Sequence, residues 1–128
     1  WVNSKGFNTG NALYNYGKAF DSLKRSGAAI LVEGQGDILK LWQSGITNCV
    51  GLFTCKISDR QTILLEEASV DTLYLALDND EPGRKGREEI RKKFGQIFNI
   101  IDIKFDQHDI GDMTTDEIIN IIKPQIRK

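Results

Sequence analysis

The sequence predicts an α/β domain: an open sheet of about four mainly parallel strands with helices on both faces. Short apolar runs alternate with amphipathic segments of about ten residues, the pattern of successive βα units. Two of those runs end abruptly in acids. Ile30-Leu31-Val32 stops at Glu33-Gly34-Gln35-Gly36-Asp37, and Leu73-Tyr74-Leu75-Ala76-Leu77 stops at Asp78-Asn79-Asp80-Glu81-Pro82-Gly83. An unbroken apolar run is a strand buried on both faces, and its polar end marks where it leaves the core. Finally, 128 residues with 40% hydrophobic and 27% charged content are those of one ordinary globular domain.

The elements follow in order. Asn11 to Arg25 carries Leu13, Tyr16, Phe20 and Leu23 at helical spacing, and Ser26-Gly27 stops it. Ala28 to Val32 is the first buried strand. Asp37 to Ser44 is a helix with Ile38, Leu41 and Trp42 on one face, ended by Gly45. Ile46 to Leu52 is the second strand. Ser58 caps a helix from Asp59 to Ala68 whose apolar stripe is Ile63, Leu64 and Ala68. Thr72 to Leu77 forms the third strand, and Pro82 suits the first turn of the helix that runs on through Phe94. Ile97 to Phe105 is a fourth strand with Asn99 and Asp102 nearer its edge. Thr115-Asp116-Glu117 opens a last helix whose Ile118, Ile119 and Ile122 face inward before Pro124.

Composition narrows the function classes. A net charge of −1 argues against gripping nucleic acid by bulk electrostatics alone. No run approaches the roughly 18 apolar residues of a membrane span, and no signal-peptide pattern is present, so no membrane role is expected. The chain opens on Trp1 and is expected to be cut from something longer, with residues 1–26 a connecting segment and helix and 27–128 the domain proper. Cys49 and Cys55 lack zinc spacing and read as buried, reduced thiols in a cytosolic setting. His108 stands alone in the sequence and reads as a surface residue.

The two acid-tipped strands carry the chemistry. In a sheet of order 2-1-3-4, strands one and three are neighbours, and Glu33, Asp78 and Asp80 converge at the switch point where ligands bind. Residues two apart on an extended segment share a face, so Asp78 and Asp80 point at one ion while Asn79 points away. Clustered carboxylates repel unless a cation neutralises them, and the pair reads as a Mg²⁺ site, with Mn²⁺ as the alternative ion. Asp37 also suits a helix cap. Gly34 and Gly36 either keep the surface beside Glu33 bare for a phosphate or ion, or form a plain tight turn. Gly83, Gly86, Ile90 and Phe94 make the sheet-facing stripe of their helix, and the small residues permit close approach to strand three. Arg84, Lys85, Arg87, Arg91, Lys92 and Lys93 occupy its other faces, as a phosphate-binding cluster or a solvated one. Asp109 and Asp112, just past strand four, reach the same rim. A second ion there would fit two-metal phosphoryl chemistry.

Glu33-x-x-x-Asp37 after strand one, followed by Asp78-x-Asp80-x-x-Gly83 after strand three, resembles the Toprim domain of primases, topoisomerases and some nucleases. The stretch from Gln43 through Gly45-Ile46-Thr47-Asn48 to Leu52-Phe53 and Gln61 is most similar to the primase branch. So are Asp80 to Gly86 and Asp109-Ile110-Gly111-Asp112-Met113. The resemblance implies a Rossmann-like Toprim fold and Mg²⁺-dependent, template-directed RNA primer synthesis in the bacterial cytosol or a phage-infected cell. It implies Glu33, Asp78 and Asp80 as catalytic residues and cation ligands, with Asp37, Asp109 and Asp112 supporting. Gly34, Lys56, Arg84, Lys85 and Arg87 would contact nucleic acid or nucleotide. The implied partners are a single-stranded DNA template, ribonucleoside triphosphates and a replicative helicase domain or subunit. Two features depart from the primase pattern: Thr54-Cys55-Lys56 where a Gly-Thr pair is usual, and Gly111 between Ile110 and Asp112. The fragment carries neither a zinc ribbon nor a phosphate loop and is expected to be weak or inactive alone. A Toprim nuclease and a non-catalytic binding module are the alternative readings. Tyr14, Tyr16 and Tyr74 read as packing residues rather than a topoisomerase nucleophile.

Overall fold

The computed structural model describes residues 12–126; the expected entry segment at 1–10, and Asn11, lie outside the described residues. Four strands, β1 (Ala28–Val32), β2 (Cys49–Gly51), β3 (Thr72–Leu75) and β4 (Asn99–Asp102), form one sheet in the order β2-β1-β3-β4. Every strand pair is parallel, with Ala28 opposite Thr72 and Leu31 opposite Leu75. The helices are α1 (Tyr16–Ser26), α2 (Gln35–Gln43), α3 (Asp59–Glu67) and α4 (Glu81–Phe94). A 3-10 turn at Ile110–Asp112 and a terminal helical segment follow, the latter made of an α turn (Thr115–Glu117), a π turn (Ile118–Ile122) and a 3-10 turn (Lys123–Gln125).

The sheet has a core on each face, as period-two alternation along buried strands requires. Ala29, Leu31, Leu73 and Leu75 pack with Ala19 and Leu23 of α1, Leu65 of α3, and Ile90 and Phe94 of α4. Ala28, Ile30, Val32 and Tyr74 pack with Ile38 and Leu41 of α2 and with Ile118 and Ile122 of the terminal segment. No helix among the described residues is long and apolar enough to cross a membrane.

The expected elements are all present, but several are shorter. The first helix starts at Tyr16 instead of Asn11, because the chain at Tyr14 is held to the edge of β2. Tyr14 N–H donates to the Gly51 carbonyl at 2.9 Å and Gly51 N–H to that of Tyr14 at 3.0 Å. Asn15 then turns the chain at φ 70°. The apolar run of the third strand reaches Leu77, yet its ladder ends at Leu75. Three residues on, the Asp78 N–H is taken by the Glu33 side chain at 2.9 Å. Ile97 is 60% exposed in the turn after α4, so the fourth strand begins only at Asn99.

Two expected stripes are also wrong in part. In α3 the inward residues are Gln61, Thr62 and Leu65, while Ile63 is exposed. Gln61 is buried because its amide donates to the Ala12 and Leu52 carbonyls, at 2.9 and 3.3 Å. In the last helix Ile118 and Ile122 face the core, but Ile119 is exposed. Trp42 sits at the margin of its buried stripe, with Ile38 and Leu41 fully inside. Cys49 is buried as expected, whereas Cys55 is only half-buried.

α4 makes its closest approaches through its glycines. A Cβ at Gly83 would lie 2.0 Å from the Asp78 carbonyl oxygen, where β3 ends. At Gly86 it would lie 2.3 Å from the carbonyl oxygen of Cys55, so this second contact is to the loop before α3, not to the strand. Gly86→Ala should therefore destabilise the fold by about 1–3 kcal/mol through forced overpacking. Unchanged denaturant unfolding would refute that contact.

α2 and α3 end alike. After α2, Gly45 N–H bonds the Trp42 carbonyl and Ile46 N–H that of Leu41; after α3, Ser69 bonds Glu66 and Val70 bonds Leu65. Both are Schellman closures with the residue past the helix in the left-handed region, at φ 86° for Gly45 and φ 62° for Ser69. Only the first is glycine. Ser69→Gly should raise stability by roughly 0.5–1 kcal/mol, since the left-handed strain outweighs the extra freedom glycine gives the unfolded chain. A lower unfolding midpoint would count against this account.

Candidate metal centre

The carboxylates gather because β1 and β3 are adjacent and parallel, so both release their polar ends at the same edge of the sheet. Glu33, Gly34, Gly36, Asp37, Phe53, Asp78, Asp109, Gly111 and Asp112 line an open cleft of about 510 Å³ there. Three groups of side chains have potential donor atoms within 4.8 Å of one another: Asp78, Asp80 and His108; Asp37, Asp78 and Asp109; and His108, Asp109 and Asp112. Five of the six expected cation ligands thus fall into groups able to hold a metal ion. Glu33 is in none of the three, although it faces the same cleft.

Most of these acids are held by backbone N–H groups. Glu33 Oε2 accepts from Asp78 N at 2.9 Å, which ties the end of β1 to the end of β3. Asp37 caps α2 by accepting from Gly34 N at 3.2 Å, and its other oxygen accepts from Gly111 N at 2.8 Å, 74 residues away. Asp80 caps α4 by accepting from Gly83 N at 2.8 Å, and Asp109 accepts from Asp112 N at 2.8 Å. Asp78 receives no such bond among the described residues. Asn79 points away from the acids, as its place between them requires. Its amide donates to the Phe105 and Gln107 carbonyls, both at 2.7 Å, and its N–H to that of His108 at 2.6 Å.

Crowding shows in the acidities. Burial, with repulsion from Glu33, Asp37, Asp109 and Asp80, pushes the Asp78 carboxyl up to about 7. Glu33 and Asp37 are also raised, mainly by burial, against the lowering effect of their backbone N–H bonds. The His108 imidazole is raised, first by its hydrogen bond to Asp109. His108 is exposed, as its sequence setting suggests, but it is not alone. Its ring nitrogens lie 3.4 Å from Asp80 and 3.3 Å from Asp109.

Around the acids, Gly34 and Gly36 have space in front of them, since a Cβ on either would meet nothing within 4 Å. Neither has a positive φ, so a tight turn does not require glycine at these positions. Gly111 is different. A Cβ there would press to 3.3 Å on carboxylate oxygens of both Asp109 and Asp37. The residue that separates this late motif from the primase pattern is therefore the one that docks it onto Asp37. Phe53, at φ 70°, was not singled out in the sequence for this rim. Its N–H bonds the Glu33 carbonyl at 2.9 Å, and its ring lies edge-on to Tyr14 at 6.1 Å. Nothing in its sequence neighbourhood signals the left-handed backbone.

The basic residues are dispersed. Arg87 turns inward and its guanidinium donates to the carbonyls of Leu77 and Asp78, at 3.4 Å for the latter, at the exit of β3. Arg84 pairs with Glu81 at 3.4 Å, Arg91 with Asp102 at 2.8 Å, and Lys93 with Asp59 at 3.7 Å. Lys56 and Lys85 are exposed, in the loop before α3 and on the outer face of α4. The tyrosines pack: the Tyr16 hydroxyl donates to the Leu64 carbonyl at 2.7 Å, and Tyr74 is buried.

Residues 27–102 match the family model described as the Toprim domain. The chain belongs to the Toprim family. This Toprim chain is 35% identical over 82 residues to a DNA primase of Aquifex aeolicus, covering 64% of the chain and 16% of that protein. The structure of the zinc-binding and RNA polymerase domains of Aquifex aeolicus primase superposes with a TM-score of 0.76 at 25% identity, over 98% of this chain and 32% of that one. The DnaG primase catalytic domain bound to single-stranded DNA superposes with a TM-score of 0.72 at 18% identity, over 98% of this chain and 42% of that one; this second likeness is one of fold. The Toprim domain thus spans less than a fifth of the curated primase it matches.

The raised groups act on stability in one direction. Glu33, Asp37 and Asp78 are harder to ionise in the fold than in the unfolded chain, so ionising them as pH rises from about 4 towards 7 costs stability. His108 holds its proton more tightly in the fold, and that contribution is likewise lost as pH rises through its folded value. In chelator-treated protein the melting temperature should fall between about pH 5 and pH 7.5, and a divalent cation should restore more of it at the higher pH. A metal-free melting temperature that is flat or rises over this range would contradict the electrostatic account.

Proposed function

We propose that this Toprim domain is the metal-binding catalytic part of a DNA primase, supporting Mg²⁺-dependent, template-directed RNA primer synthesis during DNA replication. The observation that carries this reading is the convergence of Asp78 and Asp80 with Asp37 and Asp109 at the β1–β3 exit. The donor set fits a hard divalent cation: aspartate oxygens predominate, they stand close together, and the Asp78 carboxyl is pushed up to about 7 by burial and then by its acidic neighbours. Mg²⁺ is the ion such donors favour, and Mn²⁺ the near substitute. When bound, the cation supplies charge neutralisation for phosphoryl transfer.

The protein's own part is positioning. Asp78 and Asp80 are the principal ligands, with Asp37, Asp109 and Asp112 supporting. Glu33, standing outside the donor groups but fixed by the Asp78 N–H, serves better as the base or orienting carboxylate than as a ligand. The bare surface at Gly34 and Gly36 leaves room for a triphosphate or primer end beside it. Lys56, Arg84 and Lys85 are the exposed cations for nucleic-acid contact, whereas Arg87 acts from within, holding the end of β3. A single-stranded DNA template, ribonucleoside triphosphates and a helicase domain or subunit are the partners this role requires. The template is supported by the DNA-bound structural relative.

Mg²⁺ titration followed by NMR should move the resonances of Asp78 and Asp80 first; if they ignore the ion, the centre is wrongly placed. In the full-length protein Asp80→Asn keeps the helix cap, because asparagine caps as well as aspartate. It should nonetheless lower primer synthesis by roughly 100-fold or more, as expected when several kcal/mol of charge stabilisation is lost. Near-normal synthesis by that variant would remove Asp80 from the catalytic set.

A further inference from the structure

His108 is the one histidine of the chain, and it stands at the acid cleft. Its Nε2 lies 3.4 Å from Asp80 Oδ2 and its Nδ1 3.3 Å from Asp109 Oδ2. It belongs to two of the three donor groups, one with Asp78 and Asp80, the other with Asp109 and Asp112. The loop carrying it is fixed by the acid motif itself: Asn79 donates its N–H to the His108 carbonyl and its side-chain amide to the Phe105 and Gln107 carbonyls. The imidazole is thus delivered to the rim by the residue between the two aspartates, yet its ring is exposed and can reorient without disturbing either core.

A centre made of carboxylates alone favours a hard ion such as Mg²⁺, which binds oxygen and gives up its waters reluctantly. One imidazole nitrogen changes that preference, because nitrogen donors suit first-row transition ions far better than Mg²⁺. We infer that His108 is a metal ligand in this chain and that it biases the centre towards Mn²⁺ over Mg²⁺. The inference rests on the metal-centre reading above and adds a residue and a selectivity to it. The competing role for His108 is as an internal counter-ion, an imidazolium that merely neutralises Asp80 and Asp109. Removing a counter-ion changes affinity for both cations by a similar factor, whereas removing a nitrogen ligand changes mainly that for Mn²⁺.

Calorimetric titration of the full-length protein with Mn²⁺ alone and with Mg²⁺ alone, in the wild type and in His108→Gln, separates the two. The Mn²⁺-to-Mg²⁺ affinity ratio should fall about tenfold in the variant, with Mg²⁺ affinity within about twofold of wild type. Pulsed electron paramagnetic resonance of the Mn²⁺-loaded wild type should show ¹⁴N modulation that disappears in His108→Gln. A parallel change for both ions, or ¹⁴N modulation that survives the substitution, overturns the ligand role while leaving the carboxylate centre standing. If the wild type binds neither ion, the metal-centre reading falls and this inference falls with it.

Discussion

Like charges do not assemble on their own, and the constraint on which this molecule depends is how it holds several carboxylates together at one sheet edge. It does so with backbone N–H groups. Glu33, Asp37, Asp80 and Asp109 each accept at least one, and each such bond also joins two pieces of chain: β1 to β3, the β1 exit to the late 3-10 turn, and two acids to the turns that follow them. The same bonds that make the acids tolerable therefore shape the cleft. Asp78 and Asp112 accept none among the described residues, and of the two it is the half-buried Asp78 whose carboxyl is pushed up, to about 7. The energetic weak point of the apo fold coincides with the position where a cation would be most stabilising.

Much of this was legible in the sequence because it depended on local pattern. Unbroken apolar runs located β1 and β3, and their acid tips converge if those two strands are neighbours, as they are. Ser58 and Gly45 announced their cap and stop by residue type alone. The parts that misled were those settled by contacts from far along the chain. Gln61 faces inward because carbonyls at Ala12 and Leu52 await its amide, and no periodicity reveals that. The start of α1 was displaced by the pairing of Tyr14 with Gly51, two residues that look like helix and strand interior when read separately. In the site, the acids were evident, but His108 read as isolated because its partners are Asp80, 28 positions upstream, and a neighbour whose side chain shares its loop.

The basic face of α4 carries a related lesson about charge. Six cations on one helix look like a phosphate-binding surface, yet Arg84, Arg91 and Lys93 have acidic partners and Arg87 serves the carbonyls of the β3 exit. Surface pairs of this kind contribute little stability and exchange readily with other anions. They leave a helix whose outer face is moderately cationic rather than strongly so. That agrees with a net charge of −1 and with the absence of a broad cationic field on this helix.

Asn79 shows how a motif can carry information in a letter usually treated as blank. Between two aspartates its side chain turns to the other side and holds the Phe105 and Gln107 carbonyls, while its backbone N–H holds that of His108, all in the segment that follows β4. One half of the donor set is thereby spaced against the other by a residue that touches no cation. The distance between the Asp78–Asp80 pair and the His108–Asp109 pair is a dimension set from behind. Replacing such a spacer would change the gap across the acid cleft while leaving every carboxylate and the imidazole in the chain.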